Sequence, residues 1–118
     1  MSCCGAGVLH EDEPELSTAL NARNFAIAER AGLDILTICN TCLLTKLKAK
    51  KELDENHDLR ARVNKTMAKH GLQYKGTLKI THLLWALIQD VGLDKIAPKI
   101  KRKLSGLKVA PFNGCHIQ

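Results

Sequence analysis

The chain has 118 residues, 45% of them apolar and 25% charged, with a net charge of +6. These are the proportions of an ordinary soluble globular protein with a modest core. No apolar run approaches the roughly 20 residues that cross a bilayer, and Met1-Ser2 leads straight into Cys3 without a basic, apolar leader. A cytoplasmic, reducing location is the expectation, and five cysteines, an odd number, exclude a fully paired disulfide framework.

Aromatic residues are few (Phe25, Tyr74, Trp85 and Phe112), so aliphatic side chains must fill the core. Charge is unevenly spread. Glu11, Asp12, Glu13 and Glu15 make the start acidic; Lys46, Lys48, Lys50 and Lys51 form one basic face, and Lys95, Lys99, Lys101, Arg102, Lys103 and Lys108 another. The plain reading is solvated helix surface, and the sharper one is docking to an acidic partner or attraction of an anionic substrate. Neither basic stretch carries the interleaved aromatics that stack bases, which excludes nucleic acid as a partner.

In chain order, Pro14 marks a helix start, and Leu16, Ala19, Leu20, Ala26 and Ile27 give an amphipathic helix that Gly32 stops as a C-cap. Asp34 to Ile38 is a short branched, apolar run that reads as a buried strand. Cys39 and Cys42 follow it, and Leu43, Leu44, Leu47 and Leu53 then predict a second helix. That places both cysteines between a strand's carboxyl end and a helix's amino end, the crevice where open α/β sheets bind ligands. After a polar break over Asp54–His57, Leu59, Val63 and Met67 predict a third helix ending at Gly71. A turn at Lys75-Gly76 leads to an extended Leu78–Ile80. Leu84, Leu87, Ile88 and Val91 fit the helical template, with Gly92 as the stop, and Leu107–Ala110 reads as a last strand. The alternation predicts an α/β fold: a small parallel sheet flanked by helices, and helix-rich. Both ends read as cut from something longer.

The cysteines carry the chemistry. The vicinal pair Cys3-Cys4 is followed, after 34 intervening residues, by Cys39-Asn40-Thr41-Cys42, and Cys115 stands near the end. Four thiols in two close pairs point to a soft metal. Zinc would accept four thiolates, but neighbouring side chains converge on one ion only with strain. An iron–sulfur cluster relaxes that demand, because adjacent thiolates can bind different irons, with Gly5 and Gly7 letting the backbone approach the sulfides. The third reading is metal-free: a C-x-x-C at a helix amino terminus has a lowered thiol pKa and can act as a redox pair. His10 and His116 are the histidines nearest the cysteines and are kept as supporting candidates, whereas His57, His70 and His82 read as ordinary surface or packing residues.

Cys3-Cys4-Gly5, the 34-residue spacing and Cys39-x-x-Cys42 resemble the cysteine-rich CCG domain of the heterodisulfide reductase B subunit. Ala22-Arg23-Asn24, the stretch Asp34–Cys42, and Leu107–Ala110 before Gly114-Cys115-His116 agree with it. Related domains occur in thiol:fumarate reductase and in some archaeal succinate dehydrogenases. The resemblance implies a noncubane 4Fe–4S cluster held by Cys3, Cys4, Cys39 and Cys42, with Gly5 beside it and zinc as the alternative. It further implies reductive cleavage of the coenzyme M–coenzyme B disulfide with electrons from iron–sulfur and flavin subunits. A complete domain of this family has a fifth cysteine well upstream of the pair, which is missing here. Cys115 is a candidate substitute fifth ligand, but 72 residues separate it from Cys42, and the family pattern makes it the opening ligand of a second domain. The expected division is therefore a CCG domain over residues 1–106 and the opening strand and cysteine of a second domain over 107–118. A chain so departing from the pattern is expected to turn over no disulfide unaided.

Overall fold

The computed structural model describes residues 1–102 and 105–110; Cys115, expected to open a second domain, and His116 lie outside the described residues. The element order is α1 (Ala6–Asp12), α2 (Pro14–Arg30), β1 (Ile35–Thr37), α3 (Asn40–Glu55), α4 (His57–Ala68), β2 (Ile80–His82) and α5 (Leu83–Trp85). α5 runs into a π-helical turn over Ala86–Val91, and α6 (Leu93–Ile96) and a 3₁₀ turn (Ala97–Lys99) follow. The two strands pair in parallel with Ile35, Leu36 and Thr37 opposite Ile80, Thr81 and His82. Parallel pairing requires a long crossover, and α3 and α4 supply it. The result is the expected helix-rich α/β arrangement around a small parallel sheet.

Local chemistry accounts for the boundaries. Pro14 occupies the first turn of α2, where its missing N–H costs nothing. Gly32 ends that helix at φ 68°, and the Leu33 amide donates back to the Ala28 carbonyl at 3.0 Å. Asn56 interrupts the run from α3 into α4 and caps α4, its side chain accepting from the Leu59 amide at 2.9 Å. The sequence pattern does not predict α1, because seven residues give too little periodicity to show.

The core gathers Phe25, Tyr74, Leu53, Leu59, Val63, Met67, Leu72, Leu78 and Ile35 with alanines of α2 and α3. Phe25 and Tyr74 meet at 5.7 Å between ring centroids, and burying each ring stabilises the fold by about 2–3 kcal/mol. Tyr74 sits in a polar collar: its hydroxyl donates to Asp54 at 2.9 Å, and the Asn64 side chain pairs with its amide and carbonyl at 2.8 and 3.1 Å. Glu29 gathers the amides of Lys75, Thr77 and Leu78, which delivers the chain to β2.

Three expectations change. Lys46, Lys48, Lys50 and Lys51 do not share a solvated face: Lys46 is buried, and Lys50 turns inward to Asp54 at 2.6 Å, leaving Lys48 and Lys51 outside. A four-residue spacing puts Lys46 and Lys50 on one side of α3, and that side packs. Residues 107–110 form no strand among the described residues. The apolar face of the 84–91 segment is helical but uncovered, with Leu84, Trp85, Ile88 and Val91 exposed. Among the described residues none after His82 is buried. The radius of gyration of 17.4 Å accordingly exceeds the roughly 13–14 Å of a compact chain of this length.

Candidate functional site

Cys39 and Cys42 stand where β1 gives way to α3. Cys39 is the residue before the helix, extended at φ −108°, and its carbonyl accepts the Leu43 amide at 2.9 Å. The Thr37 hydroxyl fixes this junction, accepting from the Cys39 amide at 3.2 Å and donating to the Cys39 carbonyl at 3.3 Å. Three residues are nearly one helical turn, so Cys42 returns to the side of Cys39.

The vicinal pair reaches the same place by a different device. Gly5, directly after Cys4, adopts the left-handed conformation at φ 82° and turns the chain into α1. A Cβ there would lie 2.7 Å from Leu9 Cδ2 and 2.9 Å from Leu9 Cβ, so backbone and space both demand glycine. Two fully buried asparagines of α2, one turn apart, hold the arm. Asn24 exchanges hydrogen bonds with the Ser2 amide (2.8 Å) and carbonyl (3.1 Å), and the Asn21 Nδ2 donates to the Cys4 carbonyl at 3.1 Å. Lys46, one turn beyond Cys42, donates its ammonium to Asn21 Oδ1 at 3.3 Å. A buried cation is thereby linked through one amide to the backbone of Cys4.

These devices bring Cys4 against Cys42, with Cys39 hydrogen-bonded to Cys42 from the solvent side. Cys4 is buried and its sulfur lies 3.2 Å from that of Cys42, whereas Cys3 and Cys39 face solvent. The two thiols of the C-x-x-C differ sharply. Cys39 closes no capping bond with its side chain, yet the Cys42 amide and then the Cys42 thiol hold its pKa below that of an ordinary thiol. Cys42 is pushed up to about 12, first by the Cys4 thiol beside it and then by burial. Cys39 is thus the more acidic thiol of the pair.

Two sulfurs bound to one tetrahedral zinc at about 2.3 Å stand about 3.8 Å apart. Cys4 and Cys42 are closer than that, and among the described residues no three cysteine, histidine or acidic side chains are placed to hold one ion. In kind, however, the donor set fits a thiolate-bound soft metal. It presents only sulfur, drawn from two chain segments, with a buried cation behind it to offset negative charge. His10, kept as a supporting candidate, sits half-buried in the last turn of α1.

The residues that the sequence pattern does not single out are Asn21, Lys46 and His82. Asn21 and Asn24 are legible in principle, as polar side chains among the core positions Ala22, Phe25 and Ala28 of an amphipathic helix. Lys46 looks like any surface lysine, since nothing local marks which side of α3 packs.

Residues 1–45 match the family described as CCG, a cysteine-rich domain. The chain is 44% identical over 115 residues to the 8-methylmenaquinol:fumarate reductase membrane anchor subunit of Wolinella succinogenes, matching 98% of this chain and 39% of that protein. It is 39% identical over 99 residues to a protein of Archaeoglobus profundus described as like the B subunit of heterodisulfide reductase, matching 84% of this chain and 33% of that one. To the B subunit of the ferredoxin/F420H2-dependent CoB–CoM heterodisulfide reductase of Methanosarcina acetivorans it is 37% identical over 117 residues, 98% of this chain and 39% of the relative. The chain spans less than two fifths of the length of these relatives. No helix among the described residues is long and apolar enough to cross a membrane. Over residues 1–45 the chain matches the cysteine-rich CCG domain, and over most of its length it is similar to heterodisulfide reductase B subunits at 32–39% identity.

Proposed function

We propose that the chain is the iron–sulfur-binding part of a heterodisulfide reductase-type enzyme, passing electrons to a disulfide. Cys3, Cys4, Cys39 and Cys42 hold the cluster in this reading, which the family resemblance makes a noncubane 4Fe–4S group. The observation that carries it is the meeting of Cys4 and Cys42 at 3.2 Å, across 37 intervening residues, in a CCG domain. When bound, such a cluster supplies one-electron redox chemistry. The chain's own residues supply placement and charge. Asn21, Asn24 and Gly5 fix the vicinal pair, Thr37 fixes Cys39, and the Lys46 ammonium favours an anionic thiolate group over a neutral one. The substrate class is an anionic disulfide such as the CoB–CoM heterodisulfide named for the relatives, and the exposed Lys95, Lys99, Lys101 and Arg102 suit it or an acidic partner. Partners are the electron-donating subunits of the same complex.

A second reading keeps the cluster and changes its neighbours. The 44% identity to a menaquinol:fumarate reductase subunit favours a chain that relays electrons from a quinol toward fumarate reduction. Reduction of the loaded protein by a menaquinol analogue, against oxidation by a thiol-coenzyme disulfide, separates the two.

The first experiment is iron, sulfide and zinc analysis of protein purified without oxygen, with its visible spectrum. About four irons and four sulfides per chain, with brown colour, supports the redox reading. One zinc and no colour replaces it with a structural docking module. Neither metal leaves the thiols themselves as the chemistry.

A further inference from the structure

His82 ends β2, its Cα opposite that of Thr37, whose hydroxyl holds both the amide and the carbonyl of Cys39. The residue is 4% exposed and lies on the same side of the sheet as Thr37 and Ile35, all three buried. Nδ1 accepts the Leu84 amide at 3.2 Å and so caps α5. A ring nitrogen that accepts carries no proton, so the imidazole N–H is at Nε2. That atom is out of reach of water and, among the described residues, is the one buried side-chain nitrogen or oxygen with no hydrogen-bond partner.

An orphaned buried donor is costly to the fold, and an apolar ring would fill the same space without the penalty. Its position at the carboxyl ends of both strands, beside the junction that carries Cys39, is where this sheet binds a ligand if it binds one. Metal ligation by the imidazole does not fit. A ligating histidine coordinates through one nitrogen and donates the other N–H, whereas here Nδ1 accepts and Nε2 holds the proton. A donor needs an acceptor, and in the redox reading the group bound at this junction carries sulfurs. We propose that the His82 Nε2–H is a preformed hydrogen-bond donor to a sulfur of the group held by the cysteines, and that it raises the reduction potential of that group. The inference rests on the redox reading above. Its physical basis is that a donor to sulfur stabilises the more negative, reduced state.

The test is anaerobic reconstitution of the full chain, His82→Phe and His82→Gln with iron and sulfide, followed by potentiometric titration of the visible band. Phenylalanine keeps the ring and loses the donor; glutamine carries an N–H out to the Nε2 position. Equal iron and sulfide in all three is expected, with the phenylalanine variant shifted to lower potential and the glutamine variant close to wild type. Should His82→Phe fail to fold for want of the Leu84 cap, His82→Asn keeps an acceptor for that amide, lacks the outer donor, and must show the same shift. Coinciding midpoints overturn the proposal, as does a shift that glutamine fails to reverse. A wild-type chain that takes up no iron and sulfide overturns the redox reading and this inference together. That failure is told apart because it does not depend on residue 82.

Discussion

The two cysteine pairs arrive at one place by unlike means. Cys39 and Cys42 ride on regular structure: a strand delivers them, a helix starts between them, and their spacing is the helical turn itself. Cys3 and Cys4 precede any regular element and depend on a left-handed glycine and two borrowed amides of α2. In each pair one thiol turns inward and one outward, and the inner thiols meet. A motif that reads as four equivalent cysteines is therefore two classes of thiol. The junction is held by local backbone geometry and the arm by side chains far away in sequence, so the two should fail differently.

The largest expected effect concerns the junction alone. With its thiol pushed up to about 12, Cys42 stays protonated at pH 8. Cys39, exposed and lowered, reacts first. Peptide mapping of metal-free protein after brief iodoacetamide treatment at pH 8 should show Cys39 alkylated at least about a hundredfold faster than Cys42. Equal labelling would mean that the inner and outer classes do not exist in solution.

On the arm, Gly5→Ala forces a side chain into the left-handed region, at a cost of about 1–2 kcal/mol, and drives its methyl into Leu9. The urea midpoint should fall, with far-UV circular dichroism near wild type and iron uptake reduced more than stability. An unchanged midpoint would show that the arm is not held as described. Asn24→Ala is milder. It removes the bonds to the Ser2 amide and carbonyl, about 1 kcal/mol each at most when the freed groups can reach water. Amide hydrogen exchange should quicken over residues 2–5 and stay unchanged across 37–43.

Much of this organisation is legible in the sequence, for identifiable reasons. The β1–α3 junction can be read because β-branched residues, a C-x-x-C and a leucine-spaced helix are all local signals. The arm cannot, because its geometry is set by Asn21 and Asn24, whose role appears only when α2 lies beside Ser2 and Cys4. The 84–91 segment teaches the converse. Its apolar spacing predicts a helix, but periodicity says only that a face could be buried, and Leu84, Ile88 and Val91 are not. His82 reads as ordinary, since no sequence signal shows that its second nitrogen lacks a partner.

The smallest effect separates the two regions by pH. The far end of α3, which carries the junction, is braced by ionisable groups, whereas the bonds that tether Ser2 and Cys4 come from neutral amides. Burial pushes the Asp54 carboxyl up, but the Lys50 ammonium at 2.6 Å, the Tyr74 hydroxyl and nearby Arg60 outweigh it and hold the group below the usual carboxylate range. A lowered folded pKa means that this contribution is fully present above the unfolded value, about 3.9, and is lost as pH falls through the folded one. The Asp54 side chain is 38% exposed, so screening limits the contribution to about half a kcal/mol. Asp54→Asn should lower the urea midpoint slightly at pH 6 and converge with wild type near pH 3. Asn24→Ala should keep a constant offset over the same range. Parallel acid curves for wild type and Asp54→Asn would place the pH sensitivity of this fold elsewhere than at the base of α3.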